Sequence, residues 1–158
     1  MWQRLGTIIY WIVWSVSYVY LRGSARTRLL LVVGDEILLT RTWLSDGRWS
    51  LPGGGLHRGE APLDGVIREV REETNIILEP KTITQLQTER YHGNGQSFLC
   101  HYFMAELPEK PAIKLQRLEI SASQWADPSS VMADRYGPDV FAAIHAASKH
   151  KPEAFAHL

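Results

Sequence analysis

Apolar residues along this chain fall mostly into short runs broken by glycine, proline and asparagine, the pattern of strands and turns more than of helices. Leu29 to Val33 and Ile37 to Leu39 flank Gly34-Asp35-Glu36, which predicts two strands paired as a hairpin. Arg48-Trp49-Ser50-Leu51 predicts a short extended piece, and Pro52-Gly53-Gly54-Gly55 breaks it into a loop held close to something. From Pro62 to Thr74 the spacing turns helical, with Val66, Ile67 and Val70 as an apolar stripe and Pro62 suited to the first helical position. Asn75 stands where a left-handed residue ends a helix. Thr82 to His92 and Gln96 to Leu107, divided by Gly93-Asn94-Gly95, predict a second hairpin. Glu119 to Trp125 predicts one more strand. Gly137-Pro138 introduces a last helix with Val140, Phe141 and Ile144 on its buried face.

Strands therefore dominate, with one helix between two hairpins and another at the end. That order predicts an α+β or α-β-α layered domain and excludes a doubly wound one. At 158 residues the chain matches one ordinary domain, and it carries no internal repeat.

The first twenty-odd residues differ in character. Residues 5–21 carry no charge and are dense in Ile, Val, Trp and Tyr, with Arg4 before them and Arg22, Arg26 and Arg28 after. As a helix this run reaches roughly 25 Å against a hydrocarbon core of about 30 Å, so a span is tight. Leu5, Ile8, Ile9, Ile12, Val13, Val16 and Tyr20 fall at helical spacing. Such a helix can span, lie in the interface where Trp and Tyr rings settle, or pack on its own domain. The expectation is an apolar, aromatic-rich helix over residues 1–22, a membrane anchor or an interfacial helix, followed by a globular domain over 23–158 in the cytoplasm; if the helix spans, the arginine excess after it holds that domain at the inner face of the membrane.

Seventeen basic residues balance seventeen acidic ones, so no overall field draws the protein to nucleic acid, and phosphate binding must come from local geometry. The single cysteine, Cys100, excludes an internal disulfide and reads as an apolar filler in a strand.

Within the predicted central helix, Glu69, Glu72 and Glu73 stand at i, i+3 and i+4, so three carboxylates share one face within a turn. A solvated charged face offset by Arg68 and Arg71 is the plain explanation. The neighbouring triple glycine, the Gly59-Glu60 pair and the Arg68-Glu69 pair, all at definite spacing, weigh against it.

The segment GGLHRGEAPLDGVIREVREETNI, Gly54 to Ile76, resembles the signature of the Nudix hydrolase family, G-x(5)-E-x(7)-R-E-U-x-E-E-x-G-U with U aliphatic. Gly54, Glu60, Arg68, Glu69, Val70, Glu72, Glu73 and Ile76 match its fixed positions, and Asn75 replaces the last glycine. The replacement is mild, because asparagine is the commonest non-glycine residue in left-handed conformation. Ala61, where a capping Ser or Thr would help, and Gly65, a poor helix former, are lesser departures.

The resemblance implies a Nudix-type α-β-α sandwich with a mixed central sheet and a Mg²⁺-dependent pyrophosphohydrolase, with Mn²⁺ as substitute, that cleaves a diphosphate linkage in a nucleoside diphosphate derivative by activated water. It implies Glu69, Glu72 and Glu73 as metal ligands, with the Gly53 carbonyl as a further one, and Glu60 and Arg68 as scaffold. The general base of the family lies either within the box or on a later loop; the positions outside the box are Glu119, Glu106 and Glu109, with Glu119 preferred. On the substrate side, Arg41 is placed to meet a phosphate and Trp43 or Trp49 to stack on a base, core packing being the equal alternative for each tryptophan. His92 and His101 read as structural. Tyr91 resembles, by its distance beyond the box, a residue of family members that cut dinucleoside polyphosphates. The partner expected is a small nucleotide-like diphosphate, with no nucleic acid, membrane contact through residues 5–21, and a homodimer left open. The competing reading is a non-catalytic nucleotide-sensing module at a membrane; a membrane tether with the domain as cargo is a third reading that does not compete with the enzyme.

Overall fold

The computed structural model describes residues 25–43, 45–93, 96–130 and 134–152. The apolar helix expected over residues 1–22 lies outside these. No helix among the described residues is long and apolar enough to cross a membrane.

Strand β1 (Ala25–Val33) turns through Gly34 and Asp35 into β2 (Glu36–Thr42). The expected hairpin is there, but the two strands pair only beside the turn, Val32 with Ile37 and Val33 with Glu36, and then part. The glycine loop fills the gap. Leu29 and Thr27 donate their N–H groups to the carbonyls of Pro52 and Gly54, each at 2.9 Å, and Thr40 and Ser50 exchange a pair of 2.9 Å bonds across from β2. Backbone groups that the splay would leave unpaired are thereby satisfied, so the loop is held from both sides.

The other edge of β1 pairs in parallel with β4 (Gln96–Glu106), from Ala25 beside Leu99 to Val32 beside Glu106. Strand β4 pairs antiparallel with β3 (Ile83–Gly93), which is the second expected hairpin, and β2 pairs antiparallel with β5 (Ile120–Ala126). The result is one mixed five-stranded sheet in the order β3-β4-β1-β2-β5.

Because side chains alternate across a strand, β1, β2 and β4 each feed two cores. Leu29, Leu31, Leu38, Phe103 and Ala105 meet Val66 and Val70 of helix α1 (Pro62–Thr74) on one face. Leu30, Ile37, Leu39, Tyr102 and Met104 meet Val140, Ala143, Ala146 and Ala147 of helix α2 (Pro138–His150) on the other. Each large aliphatic side chain so buried contributes about 1.5–3 kcal/mol. This is the α-β-α sandwich with a mixed sheet expected above, and Cys100 is a buried filler in it.

One expectation about the helices needs correction and another gains a reason. Phe141 is exposed, because the face that α2 turns to the sheet runs through Val140, Ala143 and Ala147 and passes Phe141 by. Gly65 is more than a weak helix former: a methyl there would lie 2.1 Å from Cδ2 of Leu56, so its bareness lets the loop cross α1. Helix α1 ends as expected at Asn75, left-handed at φ 62°. Beyond it, Lys114 and Gln116 donate N–H groups to the carbonyls of Thr74 (2.9 Å) and Glu73 (3.0 Å). That docking brings the segment before β5, with Glu119, back towards the glycine loop.

Candidate active site

Gly53 is the junction of the site. Its φ of 134° belongs to glycine, and a Cβ would sit 2.3 Å from the carbonyl oxygen of Thr27, so the loop lies on β1 as closely as a bare backbone can. Its N–H donates to Oε2 of Glu73 at 3.0 Å, and its carbonyl accepts from Nη1 of Arg28. The guanidinium of Arg28 also pairs through Nε with Oδ2 of Asp139 at 3.2 Å. Asp139, in the first turn of α2, accepts from Oγ of Ser50 (2.6 Å) and the N–H of Leu51 (3.0 Å). One carboxylate of α2 thus fixes both the loop and the arginine facing it.

The acids of α1 have three different settings. Glu73 is 4% exposed, and burial pushes its carboxyl up to about 8 against the opposing pull of Arg28 and the Gly53 N–H. Glu69 lies under Gly54, where a Cβ would come within 2.5 Å of its carboxylate carbon, and burial raises its carboxyl too, with Arg68 opposing. Glu72 is exposed. Arg68 ties the group together: Nε and Nη2 each lie 2.8 Å from a different oxygen of Glu60, Nη1 reaches Glu69 at 2.8 Å and Glu72 at 3.1 Å, and Nη2 donates to the Gly55 carbonyl at 3.0 Å. The two-pronged grip on Glu60 holds that carboxyl down at about 2 and raises Arg68 in turn. Glu60 also accepts from the His57 N–H at 2.8 Å, so it closes the loop onto the helix.

A hard divalent cation fits this donor set, although among the described residues no three acidic, histidine or cysteine side chains are already gathered as its ligands. Arg68 bridges Glu69 and Glu72, and Glu73 is turned to Gly53. A buried carboxylate and a part-buried one, both of raised pKa, are costly until a cation joins them, and carboxylate oxygens suit Mg²⁺ and Mn²⁺. Glu72, the third acid of the group, is exposed.

A cavity of about 590 Å³ opens beside the loop, lined in part by Gly53, Gly54, Gly55 and Glu73, by Trp43, and by Glu119 at its rim. Of the three outside acids, Glu119 alone lines it; Glu106 pairs with Lys151 at 2.6 Å and Glu109 is on an exposed loop. Trp43 is 65% exposed, its indole N–H donating to the Arg117 carbonyl at 3.1 Å. Arg41 and Trp49 do not line the cavity: the Arg41 guanidinium covers the Trp49 ring at 4.8 Å, and Trp49 packs against the core on the α2 side. His101 is bonded to Oγ1 of Thr88 at 2.9 Å, and Tyr91 stacks on Phe98 at 4.9 Å. The side chain of His92 lies outside what the structure describes.

Three residues here escaped the sequence reading. Arg26 and Arg28, taken there as charges flanking the apolar N-terminal run, are strand residues lining the cavity, and Asp139 was not singled out. Their signal was the alternation Arg26-Thr27-Arg28-Leu29-Leu30, which puts both arginines on the face of Leu30.

Comparison with known proteins adds a family-level likeness. The NUDIX domain family model matches residues 23–146. A MutT-like protein of Streptomyces ambofaciens is 32% identical over 126 residues, 77% of this chain and 77% of that protein. Nudix hydrolase 10 of Arabidopsis thaliana is 29% identical over 153 residues, 92% of this chain but 54% of its own length, so the chain spans about half of that relative. Among solved structures, a C. elegans Ap4A hydrolase binary complex superposes with a TM-score of 0.66 at 20% identity, over 80% of this chain and 96% of that one.

Proposed function

We propose that this chain, which belongs to the Nudix family, hydrolyses a diphosphate linkage in a nucleoside diphosphate derivative with the help of Mg²⁺, for which Mn²⁺ can substitute. The observation that carries this reading is the buried Glu73 carboxylate fastened to the Gly53 N–H beside a cavity lined by arginines and Glu119. Glu69, Glu72 and Glu73 hold the cation, and the Gly53 carbonyl, with one lone pair given to Arg28, offers the other as a further ligand. When bound, the cation neutralises phosphate charge and makes water a stronger nucleophile.

The remaining work falls to the chain itself. Arg28, anchored by Asp139, presents positive charge to the phosphates in a fixed position. Glu119 is the general base: its exposed carboxylate at the rim accepts the proton of the attacking water. Arg68 and Glu60 are positioning residues that keep Glu69 below the loop. Trp43, at the cavity edge, offers a face for a base, whereas the Arg41–Trp49 stack supports the wall behind it. The domain acts in the cytoplasm, held to the inner face of a membrane through residues 5–21, a placement supported by their composition. Fractionation of the full chain beside one lacking residues 1–22 tests that placement; an intact chain wholly in the soluble fraction overturns it.

The catalytic proposal is tested by incubating the purified protein with Mg²⁺ and a panel of nucleotide sugars, dinucleoside polyphosphates and nucleoside triphosphates, beside Glu72→Gln and Glu73→Gln. Turnover of at least one compound by wild type, lost in both variants, is expected. Equal slow release by all three proteins overturns it.

A further inference from the structure

Three arginines line the cavity, and two of them have an acidic partner: Arg28 has Asp139 at 3.2 Å and Arg48 has Asp46 at 2.6 Å. Arg26 has no carboxylate partner among the described residues, and its Nε is buried without any hydrogen bond. Its guanidinium lies 4.8 Å over the ring of Phe98, which itself stacks on Tyr91, so the head group is supported from below and is not a freely waving surface charge. It lines the same cavity as the glycine loop and Glu73.

Arg28 lies two residues along the strand on the same face, roughly 6.6 Å away by strand geometry. Two neighbouring cations, one without an ion pair, are unfavourable alone; burial and the nearby Arg28 lower the pKa of Arg26, and the more distant pull of Glu69 only partly opposes them. An anion lying along β1 removes that penalty. The planar, multiply donating guanidinium selects a phosphate, which can accept two parallel bonds, over a neutral hydroxylated group.

We propose that Arg26 binds a phosphate of the substrate that is not part of the cleaved link, so that the cavity prefers nucleoside polyphosphates carrying a phosphate beyond the diphosphate over nucleoside diphosphates closed by a neutral sugar. This deepens the diphosphate-hydrolase reading and rests on it. Arg26 acts in specificity, and the glutamates of α1 act in the reaction.

The test compares kcat/KM for a nucleoside triphosphate and for a nucleoside diphosphate sugar in wild type, Arg26→Gln and Arg26→Lys with Mg²⁺. Calorimetric binding of inorganic tripolyphosphate to the same proteins without added metal runs alongside. The triphosphate-to-sugar ratio is expected to fall about tenfold or more in Arg26→Gln and less in Arg26→Lys, with tripolyphosphate binding weakened in the same order. A ratio unchanged from wild type in Arg26→Gln overturns the proposal. If wild type cuts neither compound, calorimetry alone judges the subsite: equal tripolyphosphate affinity in wild type and Arg26→Gln overturns it, and weaker affinity in the variant supports it; the hydrolase reading itself fails only if the whole panel above goes uncut.

Discussion

Helices α1 and α2 enclose the sheet from opposite sides, both begin on a proline and neither has a side-chain cap at its start, yet they bury different things. Towards the sheet α2 turns Val140, Ala143, Ala146 and Ala147, and none of these is polar. Alongside Val66 and Val70, α1 buries the carboxylate of Glu73. A buried acid opposes folding, and one that is retained marks the place where the fold serves something besides its own stability. The contribution of α2 to the site is indirect: Asp139 at its start clamps Arg28 and the loop, so one helix supplies the buried acid and the other fixes what faces it.

That contrast can be broken most sharply at Glu73. Glu73→Gln is expected to lower Mg²⁺-dependent hydrolysis by roughly 10²–10³-fold while making the metal-free protein more stable in alkali. The sign follows from protonation. The native carboxyl, raised to about 8 from 4.5, keeps a proton that the unfolded chain has lost, so wild-type stability falls as pH rises through that window. Melting temperatures across the window should show a steep fall in wild type and a flatter one in the variant.

On the α2 side, Asp139→Asn leaves the mostly buried Arg28 without its charge partner. It is expected to destabilise by about 3 kcal/mol in denaturant titrations and to loosen the loop enough to raise KM. The sign on stability is opposite to that of Glu73→Gln, as a supporting acid and a functional one should differ. Gly54→Ala, by pushing the end of the Glu69 side chain, should cost about tenfold in kcat and change the melting temperature little, because the obstacle is flexible. The smallest effect belongs to Asn75→Gly, which relieves the left-handed residue closing α1. It should stabilise by up to about 1 kcal/mol and leave hydrolysis unchanged.

What could be read before folding was whatever local spacing encodes. The limits of α1, from Pro62 to Asn75, both hairpins and the three glutamates all rest on contacts or periodicities within a few residues. The parallel pairing of β1 with β4 joins residues more than seventy apart, and no local pattern announces it. Separation along the chain likewise hid the placement of Arg26 and Arg28 at the cavity, since a strand arginine meets loop and helix only once the chain has folded. Arg41 and Trp49 were each suited to a ligand by residue type, and the fold spends them on one another. Phe141 shows a smaller failure: the apolar arc of α2 is made mostly of alanines, whose weak hydrophobic signal let a neighbouring phenylalanine claim the buried face.

The central claim is that α1 tolerates its buried acid because a cation is to be held there. It is tested most directly by melting wild type and Glu73→Gln at about pH 8, each in EDTA and in Mg²⁺. A ligand that binds only the native state raises wild-type Tm with its concentration, so the wild-type value should climb by several degrees on adding Mg²⁺, while the variant starts higher and gains little. An equal Mg²⁺ response in the two proteins, or none in wild type, contradicts it.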